Sequence, residues 1–231
     1  MPPHVVTVNV VFEVRPDPGG DVGRTAIDKR PVAGPVEVQE LGLVGDSVLD
    51  RDNHGGRDQA VYAYAAEDLG WWAAHLGRPL PPGTFGENLT VAGLDVTGAV
   101  IGERWVVDGA DGSPAVVLQV TCPRVPCTTF QAWMREPHWV RRFTEHRAPG
   151  AYLRVLQPGH VVAGSPIAVA DRPRHGVTIG DVFPLRQADP DRLRRLLDTG
   201  DDLAPSLVRA VEAELRLVER RPARAAADAA P

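Results

Sequence analysis

The segment TCPRVPCTTF, residues 121–130, concentrates groups that can do chemistry. A strand ends there, two prolines fix an extended turn, and Cys127 falls where the next helix starts. The N-terminal dipole of that helix and the charge of Arg124 would both favour a thiolate at Cys127. Such a thiolate is a nucleophile or a ligand for a soft metal. A buried, inert thiol is the competing reading of the same residue. Cys122, directly before Pro123 at the strand end, reads as structural.

Two further polar loops stand out. GDSVLDRDNHGGRDQAVYAY (45–64) packs Asp46, His54, Gly55, Gly56, Asp58 and Gln59 just before an apolar strand. The Gly55–Gly56 pair allows backbone N–H groups to approach an anion closely, and a plain turn before the strand is the alternative. TFGENL (84–89) sets Glu87 and Asn88 where an amide could read a heterocycle edge, or merely cap a turn. Among 25 basic residues only Lys29 is a lysine, in a chain that otherwise writes arginine. Lys29 is therefore either a site where a compact ammonium is required or a chance survivor on the surface. No G-x-S-x-G elbow, P-loop, H-E-x-x-H or C-x-x-C occurs, and the seven histidines are scattered, so a structural zinc site is not expected.

The elements that must position these groups follow from patterning. Alternation or β-branched density predicts strands at 5–14, 36–44, 61–64, 100–108, 115–121, 151–156, 160–163 and 166–170. Helical spacing over 65–76 ends at Gly77, and two short helices are expected at 128–135 and 138–146. Many short strands with long connections predict a mainly β fold, a β-barrel with inserted helices, over residues 1–171. After Asp171 the segments 178–183, 190–198 and 205–220 read as a three-helix, all-α appendage spanning 172–220, and the Ala-rich tail 221–231 as disordered.

The chain resembles the molybdenum cofactor sulfurase C-terminal (MOSC) family, in its small stand-alone bacterial branch with a C-terminal three-helix extension. The resemblance rests on TAIDKRP (25–31), LGLVGD (41–46), HGGRDQAVYAY (54–64), PPGTFGENLT (81–90), IGERW (101–105), VTCPRVPC (120–127) and PGAYLRV (149–155), in that order. It implies a β-barrel that binds a molybdopterin-type molybdenum cofactor, with Cys127 as the molybdenum ligand. Lys29, His54, Gly55, Gly56, Asp58, Glu87, Asn88 and Arg124 are then the candidate cofactor-binding residues. Family relatives reduce N-hydroxylated compounds such as amidoximes and hydroxylaminopurines by two-electron chemistry at molybdenum. The pyridoxal-phosphate desulfurase domain and the iron–sulfur cluster of some relatives have no counterpart in the sequence, so a separate electron-donor protein is implied.

Composition narrows the partners. The net charge of −5 leaves no basic footprint for a nucleic-acid polymer, and no apolar run is long enough to span a membrane. Two cysteines build no disulfide framework and fit a reducing cytoplasm. Three functions remain in view: a molybdenum-dependent reductase of a small-molecule N–O substrate, a non-catalytic carrier of cofactor or sulfur, and a metal-free thiol protein. No histidine stands adjacent to Cys127 in sequence, so no activating base is visible for the third.

Overall fold

The computed structural model describes residues 2–50, 54–199 and 203–227. Its centre is an eight-stranded mixed sheet in the order β11-β7-β8-β9-β5-β6-β1-β2. The strands are β1 (His4–Pro16), β2 (Arg24–Pro31), β5 (Val61–Ala65), β6 (Leu89–Ala92), β7 (Arg104–Val107), β8 (Val116–Pro123), β9 (Ala151–Gln157) and β11 (Ile167–Asp171). A small second sheet joins β3 (Val36–Gln39) to β4 (Gly42–Leu43) and β10 (Gly159–Val161).

The expected closed β-barrel is corrected to a mixed α/β architecture. β5 and β6 run parallel, which requires a crossover, and α1 (Ala66–Leu76) begins that connection. β5, VYAYA, is buried at all five positions, as befits a strand paired on both edges. The sheet does not close, because β2 takes the edge of β1 from Asn9 onward. Only Pro3 and Val5 bond the 164–167 segment, with an isolated bridge from His4 to Pro166. Alternation reveals which residues are extended, not which neighbour each edge will take.

Helices α1, α2 (Thr128–Met134) and α3 (Trp139–His146) match the sequence expectation, and Gly77 ends α1 in the left-handed conformation at φ 64°. They enclose an aromatic core with Tyr64, Trp72, Phe85, Phe130, Trp139 and Phe143, separate from the aliphatic core of the sheet. Among the described residues the C-terminal part holds two α-helices, not three: α4 (Pro190–Leu197) and α5 (Pro205–Ala227). Residues 178–183 form a closed turn instead. The Thr178 N–H donates to Asp181 Oδ2 and the Asp181 N–H donates to Thr178 Oγ1, a reciprocal pair that resembles a helix start with no helix behind it. Residues 228–231 of the tail lie outside the described residues. No described helix is long and apolar enough to cross a membrane.

Candidate functional site

The site forms where three connections converge on the β1–β2 hairpin. Glu87 is completely buried and accepts hydrogen bonds from the Gly83 and Phe85 N–H groups and from Thr90 Oγ1, at 2.6, 3.0 and 2.9 Å. It thereby clamps the 83–87 turn. Gly83 sits at φ +88°, and a Cβ there would lie 2.3 Å from the Lys29 carbonyl oxygen, so only glycine lets this turn press against β2. The next residue, Asn88, accepts from the Tyr62 N–H and donates to Asp46 Oδ2 at 2.7 Å. Asp46 also accepts from Lys29 Nζ at 2.6 Å and from the Val11 N–H at 3.1 Å. β1, β2, β5 and the 83–88 turn are thus tied through one carboxylate, and Lys29 is neutralised within the protein.

The resulting cavity measures about 520 Å³. Lys29, His54, Gly55, Gly56, Asn88, Arg124 and Cys127 all line it, although they come from widely separated parts of the sequence. Asp58 and Glu87, expected beside them, do not line it. Asp58 turns to the buried Arg154, which donates to it through Nε at 2.7 Å. Glu87 is spent on its own turn. Lys29 lies within β2 rather than in a connection. Asp46, Asp50, Tyr62 and Thr129 also line the cavity and were not among the candidates. Asp46 stands inside the quoted LGLVGD motif, and Asp50 precedes His54 by four residues, so a side-chain pairing between them was the available signal.

The chemistry centres on Cys127, the residue preceding α2, with φ −119° and ψ 176°. Burial alone would push its thiol up. Hydrogen bonding by His54, the backbone of the first turn at Phe130, and the charge of Arg124 outweigh burial and lower it to about 7. His54 is raised in turn, chiefly by its hydrogen bond with Cys127, against the effect of burial. His54 Nδ1 also lies 3.1 Å from Asp50 Oδ2. A carboxylate, an imidazole and a thiol therefore form a chain that the sequence did not reveal.

Arg124 is the second unusual group. It is 6% exposed, and its guanidinium carbon stands 3.6 Å from the Phe130 ring centroid. Its Nη1 donates to the Phe85 carbonyl at 2.8 Å. No carboxylate among the described residues pairs with it; its electrostatic neighbours are Tyr62, Tyr152 and Cys127. A buried guanidinium without a counter-ion is costly unless an anion completes it. Among the described residues no group of three or more His, Cys, Asp or Glu could hold a metal ion by itself. The cavity thus offers one soft sulfur that ionises near neutral pH and one buried cation with no carboxylate partner among the described residues. That donor set suits a metal arriving inside an anionic cofactor with its other ligands attached.

Comparison with known proteins gives a consistent picture. A model of the MOSC domain matches residues 50–168. The protein YflK of Bacillus subtilis (strain 168) is 36% identical over 155 residues, covering 67% of each chain. A protein of Gibberella moniliformis (strain M3125 / FGSC 7600) described as a reductase is 30% identical over 159 residues, 67% of this chain but only 27% of its own length. The crystal structure of YiiM from Geobacillus stearothermophilus superposes with a TM-score of 0.73 at 26% identity, covering 93% of this chain and all of that one.

Proposed function

This chain belongs to the MOSC domain family, and from that premise we propose that it is a reductase of N-hydroxylated small molecules that works with a molybdopterin-type molybdenum cofactor. The observation that carries the reading is the pairing of Cys127 with Arg124 in one cavity. The thiol is lowered to about 7, and the buried guanidinium beside it lacks a carboxylate partner. A cavity of about 520 Å³ is of the size that takes a small-molecule cofactor. A relative described as a reductase points the same way, over a minor part of its length.

In this reading Cys127 holds the metal through sulfur, and Arg124 binds the cofactor's negative charge. The Gly55–Gly56 turn, at φ +80° and +75°, holds a left-handed backbone that L side chains rarely adopt and brings main chain to the cavity wall. The bound cofactor supplies two-electron exchange with the N–O group. The protein supplies the rest. Asp50 orients His54, and His54 keeps the Cys127 proton off the sulfur. Asp46 fixes Lys29 and Asn88 along one wall. With Nδ1 engaged by Asp50, the other ring nitrogen of His54 is left for the Cys127 sulfur.

The test is anaerobic reduction of an amidoxime or hydroxylaminopurine by the full-length, cofactor-loaded protein, with reduced viologen as donor. The reading expects an amidine from the amidoxime or an aminopurine from the hydroxylaminopurine, with two electrons and two protons consumed and one equivalent of water released as the N–O bond breaks. Bound molybdopterin without any turnover would replace the reductase with a carrier.

A further inference from the structure

Two strands behind the cavity, β5 and β9, carry Tyr62, Tyr64 and Tyr152, and the fold leaves the three phenols in different states. Tyr64 is sealed among aromatic rings and does not line the cavity. Tyr62 and Tyr152 both line it. The Tyr62 hydroxyl is spent, for it donates to the Pro149 carbonyl at 2.8 Å. The Tyr152 hydroxyl makes no hydrogen bond among the described residues.

Strand geometry turns Tyr152 towards the cavity. Its neighbours Ala151 and Leu153 are fully buried in the aliphatic core, so alternation sends the half-buried Tyr152 to the other face of the sheet. There it stands directly opposite Tyr62 on β5. The two rings pack with centroids 5.2 Å apart and planes tilted by 40°, which holds the phenol in place. Burial pushes its hydroxyl up to about 12, against the opposing charge of Arg124. The hydroxyl therefore keeps its proton through the neutral range. Arg124 and Cys127 are both among its electrostatic neighbours, so it stands beside the groups assigned to the cofactor.

Other donors on the cavity wall are already engaged. Lys29 and Asn88 donate to Asp46, and Thr129 donates to Asp17. His54 lies between Asp50 and Cys127. Breaking an N–O bond with two electrons puts negative charge on the departing oxygen, and a fixed donor beside it stabilises that charge.

We infer that Tyr152 is a catalytic residue whose hydroxyl donates a hydrogen bond to the departing oxygen and so distinguishes an N–OH compound from its oxygen-free product. The inference rests on the reductase reading above. For an amidoxime the reaction is R–C(NH₂)=N–OH + 2 e⁻ + 2 H⁺ → R–C(NH₂)=NH + H₂O. The N–O bond breaks, the electrons come from the donor, reduced viologen in the assay, and both protons come from solvent. Tyr152 retains its own proton and meets the charge as it grows on oxygen.

The experiment uses the full-length, cofactor-loaded protein as wild type, Tyr152→Phe and Tyr64→Phe. Calorimetry without an electron donor measures affinity for benzamidoxime and for benzamidine, which lacks only the oxygen. The inference expects Tyr152→Phe to bind benzamidoxime about fivefold more weakly than wild type and benzamidine equally well. Viologen-driven kcat should fall by about 100-fold, with molybdenum and pterin content unchanged. Tyr64→Phe, away from the cavity, should match wild type in each of these measurements. A Tyr152 that only packs, or that only holds the cofactor, would weaken both ligands alike or lower the pterin content. Either result overturns the inference, as does unchanged affinity for benzamidoxime or unchanged turnover. Absence of viologen turnover in wild type would instead remove the reductase reading, and the two affinities would still decide whether Tyr152 reads the oxygen.

Discussion

Cys122 and Cys127 lie five residues apart on one connection and occupy opposite environments. Cys122 ends β8 among aliphatic side chains, where burial pushes its thiol up to about 12. Cys127 starts α2 at the cavity wall, where His54, the helix start and Arg124 bring it down to about 7. The strand end supplies only a neighbouring hydroxyl, Thr121 Oγ1 at 3.9 Å, and that group is already shared with the Asp58 and Tyr152 carbonyls. Between the two cysteines the prolines turn the chain from the sheet's interior to its rim. Position relative to a strand end, not residue type, decides which sulfur can be a thiolate near neutral pH.

The largest expected effect falls on the rim sulfur. Cys127→Ser should remove viologen-driven turnover and lower bound molybdenum by more than the ~10–100-fold typical of residues one step removed from a metal. A hydroxyl is a harder and far less acidic donor than a thiol. Molybdenum analysis beside the turnover assay reads both quantities, and a thermal melt should show the fold intact.

Arg124→Leu comes next. It keeps an apolar body near Phe130 but removes a buried cation that has no carboxylate partner among the described residues. Pterin content after gel filtration should drop by roughly 10–100-fold. Retention equal to wild type would mean that the cofactor's charge is met elsewhere, and Lys29 could meet it only by leaving Asp46.

A smaller effect separates the two sulfurs by pH. In metal-free protein, alkylation of Cys127 by iodoacetamide should rise through an inflection near 7, because the thiolate is the reacting form and lies above that point. His54→Ala should move the inflection up towards the ~8.5 of an ordinary thiol. Cys122 should stay unreactive across the same range, since its proton is lost only near 12. An unchanged inflection in His54→Ala would assign the shift to Arg124 and the helix start alone.

Cys122→Ser is the smallest. A buried hydroxyl in place of a thiol should cost about 1–3 kcal/mol of stability. Turnover per folded molecule should stay at the wild-type level, as urea melts and active-site titration would establish. Loss of turnover there would erase the contrast between strand end and helix start.

Much of this was legible in the sequence, for physical reasons that also mark where legibility ends. Alternation found β3, β7 and β8, and helical spacing with a terminal glycine found α1. β2 was missed because its sequence, RTAIDKRP, buries only Ala26 and Asp28 and therefore lacks an apolar alternation. The closed barrel was expected from strand count, but the partner of each edge is a tertiary choice, and β2 claims the edge that closure would need. The turn at 178–183 carries the local bonds of a helix start without the packing that would extend one. Within the site, Cys127 and Arg124 share one short motif and could be read together. Asp50 and His54 lie on a distant loop, and only the fold brings them to the sulfur. Asp58 and Glu87 misled because a loop needs polar residues to hold its own shape as much as to meet a ligand.

The central claim is that Cys127 and its surroundings hold a molybdenum-bearing pterin. Its most direct test is the molybdenum and molybdopterin content of the full-length protein, purified from a host that makes the cofactor, with Cys127→Ser prepared in parallel. The account predicts close to one molybdenum and one pterin per wild-type chain, and loss of the metal in Cys127→Ser with the fold unchanged. Wild-type protein free of both, or a Cys127→Ser protein that keeps its molybdenum, would contradict it.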